Sequence, residues 1–72
     1  MTREDFLVEM QDVLQTEETL TLETVLTDLA EWDSLAVMAT MAFLSRNFGV
    51  ELKLADIKGL KTIGDIAVKV GV

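Results

Sequence analysis

The sequence contains no cysteine, no histidine and no proline. Without cysteine the chain has no thiol nucleophile and no disulfide, and without histidine it has no imidazole to act as a general base near neutral pH. Catalytic Ser–His and Cys–His pairs are therefore excluded within the chain, and the usual ligands of a structural zinc site are missing. We predict that the protein is not an enzyme and that it holds no metal.

Basic residues and long apolar runs are also scarce. The 13 acidic residues outnumber the 6 basic ones and give a formal net charge of −7, which disfavours binding to nucleic acids and to anionic membranes. The most apolar segment, residues 35–44, is far shorter than the ~20 residues that span a bilayer. The N-terminal residues carry acids where a signal peptide carries bases and an apolar run. We expect a cytoplasmic protein with no nucleic-acid partner and no stable membrane insertion.

A chain of 72 residues accommodates one small domain, and a hydrophobic content of 50% argues against disorder. The charge is unevenly distributed along it. Residues 1–33 carry ten acids and one base, whereas residues 34–72 carry three acids and five bases. Either the two halves attract each other or the acidic half steers a partner.

Two segments have the periodicity and the boundary residues of long helices. In residues 2–14 the apolar side chains recur at spacings of three and four, and Thr2 with Asp5 resembles a capping box. Residues 33–48 follow a cap at Asp33 or Ser34 and stop before Gly49. The second segment is apolar nearly all round, so it is buried on more than one side or offers a face to a partner.

The rest of the chain predicts a short helical turn, a last helix and two connecting segments. Residues 54–58 form one turn before Gly59, and Thr62 with Asp65 has the spacing that caps a final helix. Residues 50–54 alternate in polarity but have no strand to pair with, so we predict a connector. Leucines in residues 15–33 fit either a short helix over residues 22–29 or a long loop pinned to the core. The prediction is an all-α bundle of three main helices plus a short helical turn.

The tripeptide Asp33-Ser34-Leu35 opens the apolar helix. A hydroxyl at this position lies where the free N–H groups and the helix dipole favour a bound or attached phosphate. The alternative is that Asp33 and Ser34 are ordinary residues of a helix start.

At this tripeptide the sequence resembles the acyl carrier protein family, whose attachment motif is Asp-Ser-Leu. Residues 26–32 resemble the leucine-bearing loop that precedes the motif, residues 48–52 resemble the end of the family's second helix, and residues 61–66 resemble the start of its last helix. The resemblance covers essentially the whole chain, so residues 1–72 are interpreted as an acyl carrier domain. It also implies a long loop before the second helix, with the loop leucines as core anchors.

The resemblance implies that Ser34 is esterified by 4′-phosphopantetheine, which a separate phosphopantetheinyl transferase donates from coenzyme A. The residue inventory agrees with this, because a carrier of thioesters needs a thiol and the chain has none. The expected protein is a monomer that presents acyl groups to acyl-loading and acyl-processing enzymes of fatty-acid, polyketide or related synthesis. Asp33 would engage the transferase, and Leu35 would fasten the helix start to the core and contact partners.

The helix after Ser34 departs from the family because Ala36 and Ala39 stand where acids are common, and Ser45 with Arg46 replaces an acidic end. Docking would then depend on apolar contacts, which indicates a specialised carrier. The candidate docking residues are Asp33, Leu35, Val37, Met38, Met41 and Phe43. Within this set, helical position places Met38 and Met41 toward the core and places Val37 and Phe43 on outer positions.

Two alternatives to an acyl carrier remain at this stage. One is an aminoacyl or peptidyl carrier, and the other is a helical interaction module in which Asp33 and Ser34 only begin a helix. Trp32 is the single tryptophan. Its ring either shields the junction between loop and helix or lies against the pantetheine arm or a partner.

Overall fold

A computed structural model describes all residues from 1 to 72 and shows four helices and no strand. The helices are α1 (Arg3–Leu14), α2 (Ser34–Phe48), α3 (Leu54–Lys58) and α4 (Ile63–Val70). A single 3₁₀ turn, Leu26–Asp28, interrupts the long loop between α1 and α2. The predicted all-α bundle of three main helices plus a short helical turn is confirmed. None of the helices combines the length and the apolar character needed to cross a membrane.

Reciprocal side-chain caps begin α1 and α4, as predicted. At α1, the Thr2 hydroxyl accepts the Asp5 backbone N–H at 3.1 Å, and the Asp5 carboxylate accepts the Thr2 N–H at 3.4 Å. At α4, Thr62 and Asp65 make the same exchange over 3.1 Å in both directions. Each exchange satisfies backbone donors that a helix start otherwise leaves free, so the local sequence determines where these helices begin.

The loop between α1 and α2 is pinned to the start of α4. The helix that leucine periodicity predicted over residues 22–29 is wrong except for the 3₁₀ turn at its end. Val25 forms an isolated antiparallel bridge with Thr62. Three backbone hydrogen bonds join the segments: Leu26 N–H to Lys61 O (2.8 Å), Ile63 N–H to Thr24 O (3.0 Å) and Gly64 N–H to Leu22 O (2.8 Å). Backbone groups of the loop therefore find hydrogen-bond partners in a distant segment and not within a local helix.

One hydrophobic core joins the helices to the loop. The loop supplies Leu20, Leu26 and Leu29 to it, all buried, which confirms their predicted role as core anchors. The aromatic rings link α1 to α2, because the Phe6 ring of α1 lies 6.2 Å from the Phe43 ring and 6.1 Å from the Phe48 ring of α2, centroid to centroid. The core thus fixes α2, and with it the segment that carries Ser34, against α1.

The structure corrects the predicted orientation of α2. Val37 and Phe43 were expected on outer positions but expose only 5% and 7% of their surface. Met38 was expected in the core but is 64% exposed, whereas Met41 is half-buried against the core. The physical reason is that α2 is apolar on nearly every side, so the sequence does not determine which side faces α1. Packing of the Phe43 ring against the Phe6 ring determines how α2 is rotated about its own axis.

Candidate functional site

Ser34 is exposed at the first residue of α2, and Asp33 is the residue that caps the helix. The Asp33 carboxylate accepts the backbone N–H of Ala36 at 2.9 Å, and the Asp33 carbonyl oxygen accepts the N–H of Val37 at 2.9 Å. The hydrogen bonds that begin α2 therefore use Asp33, and none of them uses the Ser34 hydroxyl. That hydroxyl is left available at the positive end of the helix dipole.

Short-range hydrogen bonds shape the chain as it enters α2. The backbone N–H of Trp32 donates to the Leu29 carbonyl at 3.1 Å, and the N–H of Asp33 donates to the Glu31 carbonyl at 2.9 Å. Leu29 is buried, so this tight segment is attached to the core at its base. The anchored turn delivers Asp33 in the extended conformation that an N-cap requires.

Ser34 opens onto a groove between α2 and α3 with a volume of about 350 Å³. We refer to it as the α2–α3 groove, and its lining residues are Trp32, Asp33, Ser34, Val37, Met38, Leu54 and Lys58. Four of the seven are hydrophobic, and Lys58 is the only cation among them. The groove can accommodate a largely apolar chain, and its charged lining residues are Asp33 and Lys58.

A second groove lies on the other side of the α2 start, against the end of α1. This α1–α2 groove of about 300 Å³ is lined by Val13, Leu14, Gln15, Glu31, Asp33, Leu35, Ala36 and Ala39. Ser34 is not part of its lining. It contains two carboxylates and no base, and the Glu31 Oε1 atom is buried without a hydrogen-bond partner. The two grooves beside α2 thus differ in charge.

The outward face of α2 is apolar and lacks acids. Leu35 was expected to fasten the helix start to the core but is 77% exposed, and Met38 is 64% exposed. Ala39 and Ala42 are also exposed farther along the helix, and Arg46 is the one charged side chain in α2. An apolar, nearly neutral face of this kind can contact a partner mainly by burying apolar surface.

The structure brings only part of the predicted docking set around Ser34. Asp33, Leu35 and Met38 are exposed close to it in the chain, and Val37 contributes to the wall of the α2–α3 groove despite its burial. Met41 is half-buried, and Phe43 belongs to the core. These positions limit which members of the set a partner can reach.

Trp32 occupies a position compatible with either of the roles considered for it in the sequence. It is partly buried against the core, and it also lines the α2–α3 groove beside Ser34. Leu54 and Lys58 line the same groove and were not predicted as site residues. The available signal was their spacing of four residues on a short helix, which puts both side chains on one face.

The residues around Ser34 fit a covalently attached phosphopantetheine arm. An exposed hydroxyl lies at a helix N-terminus, and the adjoining groove offers a cation together with apolar walls. The model of the family described as "Phosphopantetheine attachment site" matches residues 4–68. Comparisons with curated proteins and with solved structures give no match. Domains of this family carry 4′-phosphopantetheine covalently and present it to other enzymes. Because the family model matches most of the chain, the chain belongs to the phosphopantetheine-attachment family.

Proposed function

We propose that the protein is an acyl carrier and that Ser34 bears the phosphopantetheine arm. The observation that supports this most directly is the division of roles at the start of α2, where Asp33 caps the helix and the Ser34 hydroxyl is exposed. The chain has one other serine, Ser45, which lies well inside α2. Only Ser34 combines a helix N-terminus with a groove that can receive the arm.

Loading of Ser34 is a phosphoryl-group transfer. The Ser34 Oγ atom forms a new P–O bond, the phosphoanhydride bond of coenzyme A breaks, and the adenosine bisphosphate half leaves. The hydroxyl proton passes to a base on the transferase, because this chain has no histidine. When attached, the arm supplies the thiol that holds acyl groups as thioesters.

Docking of partner enzymes is proposed to use the exposed apolar side chains near Ser34. Leu35 and Met38 are the two large apolar residues that α2 exposes. Asp33 adds a negative charge beside them, which we assign to the transferase. Since the helix carries no acid of its own, salt should weaken these encounters less than it weakens charge-driven docking.

Attachment is tested by intact-mass measurement after incubation with coenzyme A, magnesium and a promiscuous phosphopantetheinyl transferase. We expect the wild-type protein to gain one phosphopantetheine and Ser34→Ala to gain none. Ser45→Ala is the matched control and should be loaded like the wild type. A gain that persists in Ser34→Ala would reject Ser34 as the site. No gain from folded wild-type protein with several transferases would reject the carrier and favour an interaction module.

The cargo is tested on the loaded protein in a second step. An acyltransferase with an acyl-coenzyme A donor should add an acyl group to the thiol, whereas an amino-acid-activating enzyme should add little. The opposite preference would show that the protein is an aminoacyl or peptidyl carrier, and Ser34 would still be the attachment residue.

A further inference from the structure

A lysine of α3 faces the groove onto which Ser34 opens. Lys58 and Leu54 lie one turn apart in α3, and both line the α2–α3 groove together with Ser34. Lys58 is exposed, so its side chain is accessible to solvent where it lines the groove. No role for this residue follows from the loading reaction itself.

We infer that the Lys58 ammonium pairs with the phosphodiester attached to Ser34 and thereby directs the arm into the α2–α3 groove. The inference rests on the proposed attachment at Ser34. It makes Lys58 a positioning residue that selects the side of α2 along which the arm runs.

The distribution of charge around Ser34 supports this direction. The Asp33 carboxylate is fixed by its hydrogen bond to the Ala36 N–H, and it repels a phosphate on the adjacent residue. The α1–α2 groove adds the Glu31 carboxylate and has no base in its lining. The α2–α3 groove has Lys58 in its lining instead. Asp33 lines both grooves and does not distinguish them, so the difference lies in Glu31 on one side and Lys58 on the other, which favours a phosphate on the Lys58 side.

The walls of the α2–α3 groove suit the part of the arm beyond the phosphate. Trp32, Met38 and Leu54 provide apolar surface beside Ser34, and the methyl and methylene groups of pantetheine bury apolar area against such walls. The groove volume of about 350 Å³ lies within the range of about 300–1,000 Å³ that is usual for small-molecule sites. Shape and charge thus favour the same side of α2.

The effect of Lys58 on the arm should be moderate because the pair is exposed to water. Exposed ion pairs shift an equilibrium by about two- to five-fold, and salt screens them. A charge-preserving change, Lys58→Arg, should retain the effect. Removal of the charge in Lys58→Gln should lower the fraction of arms that lie in the groove.

Trp32 fluorescence reports on the fraction of arms that lie in the groove, because Trp32 is the single tryptophan and lines the groove. Quenching by acrylamide is compared between the unloaded and the loaded protein, after intact mass has confirmed complete loading. In the wild type we expect loading to protect Trp32 from the quencher. The protection should persist in Lys58→Arg and decrease in Lys58→Gln. Lys69→Gln, which removes an exposed lysine from α4, is the matched control and should behave like the wild type.

The outcomes separate this inference from the proposed function. If Ser34 is not loaded, the mass measurement shows it and the proposed function fails first. If Ser34 is loaded but Trp32 is not protected, or is protected equally in Lys58→Gln, the positioning role of Lys58 is rejected and attachment at Ser34 stands. If Lys58→Gln and Lys69→Gln reduce the protection of Trp32 equally, the positioning role of Lys58 is also rejected, because the protection would then depend on net charge alone.

Discussion

The backbone N–H of Gly64 donates a hydrogen bond to the carbonyl oxygen of Leu22 over 2.8 Å. A Cβ atom at residue 64 would lie 2.7 Å from that oxygen and 3.3 Å from the Leu22 Cβ. The oxygen belongs to the backbone and is held by the same hydrogen bond, so it has little freedom to move away. The loop and α4 can approach this closely only because residue 64 has no side chain.

We predict that Gly64→Ala destabilises the protein by about 1–3 kcal/mol, because the added methyl group forces the loop away from α4. The matched control is Gly59→Ala at the end of α3, where the nearest atom to an added Cβ lies at 3.5 Å. Gly59→Ala should be neutral or stabilising by up to about 1 kcal/mol, since φ at this residue is −79°. Urea unfolding measures both variants. Equal free energies of unfolding for the two would contradict the close approach.

Asp33 is expected to have a structural role and a charge role that substitutions can separate. Asp33→Ala removes the cap of α2 and should cost about 1 kcal/mol of stability. Asp33→Asn keeps a side-chain oxygen for the Ala36 N–H but removes the negative charge, so its stability should stay near that of the wild type. We expect slow loading by the transferase in both variants. Wild-type loading of Asp33→Asn would show that Asp33 serves only as a cap.

The observed rotation of α2 predicts opposite outcomes for two of its apolar residues. Phe43→Ala should cost about 3–5 kcal/mol, because the ring packs in the core between Phe6 and Phe48. Met38→Ala should change the free energy of unfolding by less than about 0.5 kcal/mol, since Met38 is 64% exposed. Denaturant unfolding followed by circular dichroism tests this. A large loss of stability in Met38→Ala would show that α2 is rotated differently.

Exposed apolar residues of α2 are predicted to affect partner enzymes without affecting the fold. Leu35→Ala and Met38→Ala should slow transfer of cargo to the loaded carrier, because each removes apolar surface that a partner would bury. Arg46→Ala, which changes an exposed residue farther along α2, is the control and should have a smaller effect. The rate of acyl transfer at matched carrier concentration is the measurement. A greater effect of Arg46→Ala would show that docking depends on charge.

Asp65 gives the protein a predictable response to acid. The backbone N–H of Lys61 and then that of Thr62, which donate to the Asp65 carboxylate at 2.9 and 3.1 Å, lower the pKa of Asp65 below its ordinary value. This stabilisation is complete above the unfolded pKa of about 4 and is lost as the pH falls through the lower folded pKa. Asp65→Asn should therefore be less stable at neutral pH and should lose less stability on acidification. Thermal unfolding from pH 7 to pH 2 measures this, and parallel curves would contradict it.

Local chemistry in the sequence predicts the helix boundaries but not the contacts between distant segments. Thr2 with Asp5 and Thr62 with Asp65 determine the helix starts through hydrogen bonds within four residues, so the sequence alone places them. The bridge between Val25 and Thr62 has no local signal, because either residue fits many conformations. For that reason the leucine pattern left both a helix over residues 22–29 and a pinned loop open, and the resemblance to acyl carriers favoured the loop.

The candidate site shows the same division between local and distant information. Ser34 and its capping neighbour Asp33 are adjacent in the chain and can be predicted from the sequence. Lys58 lines the same groove as Ser34 only because α3 packs beside α2, and a lysine on a short helix ordinarily indicates a solvent-facing position. Charge in the groove was therefore not predictable from the sequence.

The attachment of the loop to α4 also determines which parts of the domain respond when a partner enzyme pulls on Ser34. Residues 22–26 are hydrogen-bonded to residues 61–64, whereas residues 28–33 bond only to neighbouring loop residues and, through Asp33, to the start of α2. The loop thus has one part that is hydrogen-bonded to α4 and a second part, leading into α2, that is held by the burial of Leu29 and by short-range hydrogen bonds. An enzyme that pulls on a group carried at Ser34 would therefore strain residues 28–33 before it strains the hydrogen bonds to α4. The position of α4 would then change little, and the fold of the rest of the domain would be unaffected when partner enzymes act on the attached group.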